Sequence, residues 1–214
     1  MRITLFDYGA GNLHSLAKAL AGAGRDVCVQ ADPLAALDTD VLVLPGVGAF
    51  GAAAERLAPA REAMRAAIMG GLPTLGICLG MQLLFDESDE GGGRGLGVFA
   101  GRVDRLRATR TPQIGWNSLD DATDPAFAAS GLVTAYYANR YACRPDEPSV
   151  VSAWSTHDGD RFAAAVRRGA CVGVQFHPEK SSQPGLRFLD HLLDHLLHGV
   201  AAMPARQTLT LPDR

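Results

Sequence analysis

Four consecutive aliphatic residues, Val41-Leu42-Val43-Leu44, run straight into Pro45-Gly46. A run that short has the length of a strand, and with no polar position it has no face to offer water. It fits a parallel sheet buried on both sides, so the rest of the chain has to supply helices to cover both faces. The flanking sequence meets that demand. Residues 3–6 and 27–29 read as strands, and residues 12–23 set Leu13, Leu16, Ala17 and Leu20 on one helical face that Gly22 and Gly24 terminate. Residues 52–69 are alanine-rich and helical, broken near Pro59, where the ring removes a hydrogen bond. Residues 74–77 form a fourth strand and residues 81–85 begin another helix. Strand–helix alternation with right-handed crossovers predicts a three-layer α/β/α sandwich around a mostly parallel sheet.

The second half changes character. Residues 86–97 are acidic, then glycine-rich, and read as a mobile surface loop. Residues 98–106, 132–137, 150–154, 162–167 and 171–176 are strand-like and are expected to extend the sheet, partly antiparallel. Residues 184–198 read as a closing amphipathic helix, with Leu186, Leu189, Leu193, Leu196 and Val200 along its apolar face. No internal repeat or linker divides the chain. The expected organisation is one domain over residues 1–200, with residues 201–214 as a loosely held tail.

Composition narrows the function classes. A hydrophobic fraction of 47% against 20% charged residues, over 214 residues, is a globular balance able to enclose a shaped site. The 20 Lys+Arg against 23 Asp+Glu, net −3, leave no electrostatic footprint for nucleic acid or an anionic membrane. No apolar run approaches the ~18–20 residues of a membrane span, and Asp7 arrives too early for a signal-peptide core. Cys28, Cys78, Cys143 and Cys171 are scattered without a C-x-x-C pair, which fits reduced thiols and a cytoplasmic location.

One cysteine stands apart. Gly76-Ile77-Cys78-Leu79-Gly80 leads from a strand into a helix, the pattern of a nucleophile elbow with cysteine in place of serine. The tight turn strains the backbone at the nucleophile, the glycines relieve crowding, and the helix N-terminus favours a thiolate. Taken alone, the motif reads equally as a buried structural cysteine between packing glycines. A second stretch, Phe176-His177-Pro178-Glu179, ends an apolar strand in a base with a carboxylate two residues on. On extended backbone those two side chains share a side, so His177 would take the thiol proton while Glu179 holds the imidazole tautomer. Alone, it is an ordinary strand end. A third, Pro45-Gly46-Val47-Gly48-Ala49-Phe50, offers backbone N–H groups for an oxyanion hole with the Leu79 amide as second donor, or is a plain glycine-rich turn.

Other candidates carry less. His191, His195 and His198 have metal-ligand spacing but interleave with the leucine face, so they read as the solvated side of the last helix and no metal is expected. His14 and His157 lack a partner motif. Cys28 and Cys171 read as small core residues, and Cys143, beside Arg144-Pro145, as an exposed loop cysteine without a base. The glycines of residues 91–97 lack the Lys-Ser/Thr ending of a phosphate loop.

Together, Gly76-Ile77-Cys78-Leu79-Gly80-Met81-Gln82 and Phe176-His177-Pro178-Glu179 resemble the class I glutamine amidotransferases, which hydrolyse glutamine through a Cys-His-Glu triad. Asp7-Tyr8-Gly9-Ala10-Gly11-Asn12-Leu13, the Pro45 to Phe50 segment, Gly115-Trp116-Asn117 and Pro178-Glu179-Lys180-Ser181 narrow the likeness. Within that class they look like the glutaminase subunits of imidazole glycerol phosphate synthase, from histidine biosynthesis, and the resemblance runs from the first strand to the last helix. It implies Cys78 as nucleophile, His177 as base, Glu179 as its orienter, and Gly46, Val47 and Gly48 as the oxyanion strand. Leu79, Gln82 and Tyr141 would complete the glutamine site. It implies no cofactor. It implies as partner a separate (β/α)₈-barrel cyclase subunit, joined in a heterodimer, that receives the ammonia and makes imidazole glycerol phosphate and 5-aminoimidazole-4-carboxamide ribonucleotide. Asn12, Gln113, Trp116, Asn117 and Lys180 match the partner-facing segments. One departure stands out: Asn139-Arg140-Tyr141 occupies the place of His-Ser-Tyr in many relatives. A glutaminase serving another pathway, or a catalytically retired regulatory partner, are the alternatives. A peptide flip at Val47, permitted by its glycine neighbours, would gate the oxyanion hole.

Overall fold

The computed structural model describes residues 1–9, 13–22, 24–46 and 48–200, with side chains through residue 196. The expectations for Asn12, for the Val47 gate and for residues 201–214 fall outside the described residues. In chain order the elements are β1 (Arg2–Phe6), α1 (His14–Leu20), β2 (Asp26–Gln30), β3 (Val41–Leu44), α2 (Phe50–Leu57) and α3 (Arg61–Met69). Then come β4 (Thr74–Ile77), α4 (Leu79–Leu83), β5 (Glu87–Ser88), β6 (Gly101–Arg105), β7 (Gln113–Ser118) and α5 (Pro125–Ser130). The chain continues through β8 (Thr134–Asn139), β9 (Tyr141–Pro145), β10 (Val151–His157), β11 (Asp160–Arg168), β12 (Cys171–Val174) and α6 (Ser182–Val200).

A seven-stranded sheet in the order β10-β11-β12-β4-β3-β1-β2 forms the middle layer. Its strands from β12 to β2 are parallel, and β10 and β11 add an antiparallel edge. All four residues of β3 are completely buried. Val41 and Val43 join the cluster that holds Leu16 and Leu20 of α1, Phe127 of α5 and Phe188 of α6. Leu42 and Leu44 join the opposite cluster, with Phe50 and Leu57 of α2 and Met64 of α3. One unbroken apolar strand thus anchors both outer layers, each such side chain contributing about 1.5–3 kcal/mol of burial. The α2 helix ends before Pro59, which sits in a 3-10 turn at Ala58–Ala60 ahead of α3.

The strands from residue 87 onward divide differently from expectation. Only β10, β11 and β12 join the central sheet; β5, β6 and β9 make a three-stranded sheet, and β7 pairs with β8 in a separate antiparallel ribbon. The reason lies in the pattern of β7, which alternates buried or half-buried positions with exposed ones and so has one wet face. Its inward residues Gln113 and Asn117 are polar, which hid the strand from an apolar-periodicity reading. Cys143 is also corrected: it lies in β9 opposite Val103, completely buried, and burial pushes its thiol well above the usual range. Residues 86–97 are anchored rather than free-standing. Leu96 is buried, its N–H donates to Leu83 O at 2.7 Å, and Glu90 Oε2 accepts from the first N–H of α2 at 3.0 Å. His195 is exposed, and among the described residues no group of three His, Cys, Asp or Glu side chains is placed to hold a metal ion. No described helix is long and apolar enough to cross a membrane.

Candidate active site

The three motifs meet because they leave the carboxyl ends of three adjacent strands. β4 runs between β3 and β12, so the elbow after β4 is flanked by the Pro45-Gly46 turn on one side and the Gln175 to Glu179 segment on the other. That edge is where open α/β sheets bind ligands.

Cys78 sits on the elbow with φ 49° and ψ −103°, a conformation a side-chain-bearing residue adopts only under constraint. The constraint comes from its neighbours. The Cys78 N–H donates to Val174 O at 2.7 Å, and its carbonyl accepts from Gln82 N at 3.1 Å. Gly80 lets α4 cross β3 in contact: a β-carbon there would stand 1.9 Å from Leu44 O. Gly46 is packed on the nucleophile itself, since a β-carbon at that position would lie 2.9 Å from Cys78 Cβ and 3.0 Å from His177 Cε1.

His177 is gripped through its backbone. Its N–H donates to Tyr136 O at 2.8 Å; the Ser181 hydroxyl donates to His177 O at 2.7 Å and accepts from Tyr136 N at 2.9 Å. Ser181 was legible only as part of a motif, without a role. Nδ1 of His177 lies 2.9 Å from Glu179 Oε1, both side chains being almost entirely buried. The extended backbone expected for this pair is replaced by a 3-10 turn at Pro178–Lys180, which swings the carboxylate back under the ring. Burial of the ring works against its cation, but the polar and charge interactions with Cys78 and Glu179 outweigh it and raise His177 to about 9. The ring therefore holds its proton more tightly than an ordinary imidazole.

This has a measurable consequence. A base raised in the folded state contributes stability that is fully present below its ordinary value of 6.5 and is lost as pH climbs through about 9. The thermal midpoint of the unsubstituted chain should exceed that of His177→Ala near pH 6.5, and the gap should close towards pH 9.5. A gap that stays constant or widens over that interval would refute the raised imidazole.

The remaining residues divide. Leu79 opens α4, so its N–H has no acceptor within the helix. Gln82 is buried, and its Nε2 donates to Tyr141 O and to Gln175 Oε1, each at 3.3 Å. Gln175, unremarked as a site residue in the sequence, is completely buried with Nε2 3.4 Å from Cys78 Sγ. Its signal was a long amide closing an otherwise apolar strand, two positions before the histidine. Gly48 has φ 117°, a conformation suited to glycine. Trp116 is 54% exposed beside Ile114 at 68%, and Tyr136 meets the indole edge-on at 6.3 Å. Lys180 is exposed nearby, whereas Gln113 is buried and Asn117 turns inward, its amide donating to Thr156 O at 2.9 Å. Arg140 is exposed at the bend between β8 and β9.

Known proteins match this chain along nearly its whole length. The family model for glutamine amidotransferase class-I matches residues 4–195. The imidazole glycerol phosphate synthase subunit HisH of Symbiobacterium thermophilum is 48% identical, covering 88% of this chain and 91% of that protein. The HisH subunits of Corynebacterium glutamicum and Pyrococcus furiosus are 39% and 41% identical, over 91% and 88% of this chain and 98% and 96% of theirs. Among solved structures, PurLQS from Thermotoga maritima superposes with a TM-score of 0.66 at 18% identity, covering 91% of this chain and 98% of its own. The glutaminase domain of Trypanosoma brucei CTPS gives 0.60 at 16% identity, over 96% of each; both share the fold. The chain belongs to the class I glutamine amidotransferases and, within them, to the HisH subunits of imidazole glycerol phosphate synthase.

Proposed function

We propose that this chain hydrolyses glutamine to glutamate and ammonia and hands the ammonia to a (β/α)₈-barrel cyclase subunit, which makes imidazole glycerol phosphate and 5-aminoimidazole-4-carboxamide ribonucleotide. The observation that carries the reading is a buried imidazole held 2.9 Å from Glu179 and packed, across Gly46, beside a cysteine on a strained elbow. The Cys78 sulfur attacks the side-chain amide carbon of glutamine. The developing oxyanion is met by the Leu79 N–H and the backbone of the Gly46 to Gly48 turn. His177 gives its proton to the departing nitrogen as the C–N bond breaks, leaving a γ-glutamyl thioester. It then takes a proton from water, whose oxygen adds to the thioester carbon, and Cys78 leaves as thiolate.

Ammonia released into water at neutral pH is largely protonated and no longer nucleophilic, so the product needs an enclosed route. The exposed Trp116 and Ile114 of β7 mark the docking face for the barrel, with Lys180 at its margin. That ribbon also carries Tyr136, whose backbone holds His177, so a partner seated there touches the strand that positions the base. The complex would work as a heterodimer in the cytoplasm. A glutamine-mimicking electrophile should form one covalent adduct, on Cys78, and ammonia release should rise on adding the barrel partner together with its acceptor substrate. Absence of both the adduct and glutamine-dependent ammonia release would end the proposal.

A further inference from the structure

We infer that Gln175 is a further catalytic residue of this site, its side-chain amide donating a hydrogen bond to Cys78 Sγ that meets the negative charge the sulfur carries during the reaction. The inference rests on the glutaminase reading and adds a group to it. Its first support is the 3.4 Å contact from Gln175 Nε2 to the sulfur. A glutamine amide is ambiguous by itself, because oxygen and nitrogen differ little in size. Here the neighbours remove the ambiguity. The main-chain carbonyl of Tyr141 can only accept, and it takes donors from Asn139 Nδ2 at 3.0 Å and Gln82 Nε2 at 3.3 Å. That fixes the Gln82 nitrogen, which also points at Gln175 Oε1, 3.3 Å away. With its oxygen committed to Gln82, Gln175 has only its NH₂ to turn to the sulfur. The polarity at Cys78 is thus set by a backbone carbonyl two side chains away.

Position and burial agree. Gln175 is completely buried, and its backbone is locked by an N–H to Ala164 O bond of 2.8 Å. A long polar side chain in such a place costs free energy unless its groups are paired, and an aliphatic residue would fill the volume without that cost. The elbow also needs the help. α4 has only five residues, so its terminus offers the sulfur little beyond its first N–H groups. A donor behind the sulfur stabilises the anion before attack and again when the thioester breaks and thiolate departs, the two moments when charge sits on that atom. The titratable groups facing Cys78 are His177, with Glu179 behind the ring, and Cys143 of β9.

The test uses the full-length chain. Alkylation of Cys78 by iodoacetamide is followed against pH for the unsubstituted protein, Gln175→Met and Gln175→Glu, with kcat and KM for glutamine measured with the barrel subunit present. Removing the donor should move the alkylation midpoint up by about one pH unit and lower kcat roughly tenfold, with KM little changed. The glutamate, which faces the sulfur with an anion, should shift it further. Circular dichroism checks folding; if methionine disrupts the core, Gln175→Asn withdraws the donor by one methylene and should give the same upward shift. Midpoints that coincide with the unsubstituted protein in folded variants would overturn the inference. Should the unsubstituted chain alkylate yet never turn over glutamine, the glutaminase reading fails, while the alkylation midpoints still decide the role of Gln175.

Discussion

Replacing Cys78 by alanine is expected to abolish glutamine hydrolysis, while replacing His177 by alanine slows it by about 10²–10⁴-fold. The asymmetry follows from what each group supplies. The sulfur forms the bond that divides amide cleavage into two easier steps, and nothing else on the elbow can form it: Leu79, Gly80 and Met81 follow directly, all without a nucleophile. His177 moves protons, a task that bulk water and hydroxide perform poorly but perform. Activity of the His177 variant should therefore recover in part as pH rises and the thiol ionises without help. Because the two residues act on one step, the double variant should be no worse than Cys78→Ala alone. Glutamate release under single-turnover conditions reads all three. The fold should persist in Cys78→Ala, since Cys78 N–H and C=O keep their partners Val174 and Gln82 whatever the side chain. A Cys78→Ala protein retaining even about one per cent of turnover would exclude the thioester route.

The elements that place the site were legible where residue type and spacing speak directly to backbone geometry. The unbroken aliphatic run of β3 required burial on both faces, and its residues alternate between the two clusters. The Gly-x-Cys-x-Gly motif required a constrained turn, and Cys78 has positive φ. What escaped depends on contacts between distant segments. β7 was hidden because its inward positions are Gln113 and Asn117, polar residues that an apolar periodicity cannot register. Cys143 reads as an exposed loop residue because Arg144-Pro145 resembles loop sequence, whereas antiparallel pairing with β6 buries it. The Glu179 carboxylate does reach the ring, but a turn brings it there rather than the extended chain. Gln175 escaped for a different reason. Its sequence neighbours are Val174 and Phe176, while the groups that orient it lie on α4 and β9, some thirty to ninety residues away.

Gly80→Ala is expected to do more damage than any other single-methyl addition near the site. The new carbon would stand 1.9 Å from Leu44 O and 2.6 Å from Leu44 C, and both are backbone atoms of β3 that no rotamer change can move. Relief requires α4 or β3 to shift by more than an ångström, and overpacking of that severity costs about 3 kcal/mol or more. For a chain of this size the thermal midpoint should fall by roughly 6–12 °C. Hydrolysis should vanish with it, because β3 leads into Gly46 and α4 carries the Leu79 amide. Gly46→Ala tests the opposite balance. Its carbon would meet Cys78 Cβ and Ile77 O at 2.9 Å and His177 Cε1 at 3.0 Å, overlaps far milder than at Gly80 that a shift of a few tenths of an ångström in the elbow backbone relieves. Stability should fall less than in Gly80→Ala, while the sulfur and the imidazole are pushed out of alignment and kcat drops by about 10²-fold. Gly22→Ala provides the mild comparison: its new methyl meets the Arg25 side chain at 3.3 Å, which ion pairs with Asp190 and Asp194 hold in place, so a small loss of stability with kcat unchanged is expected. If Gly80→Ala melted with Gly22→Ala, the close crossing of helix over strand that aims the elbow would be wrong, and with it the account of why Cys78 faces the imidazole.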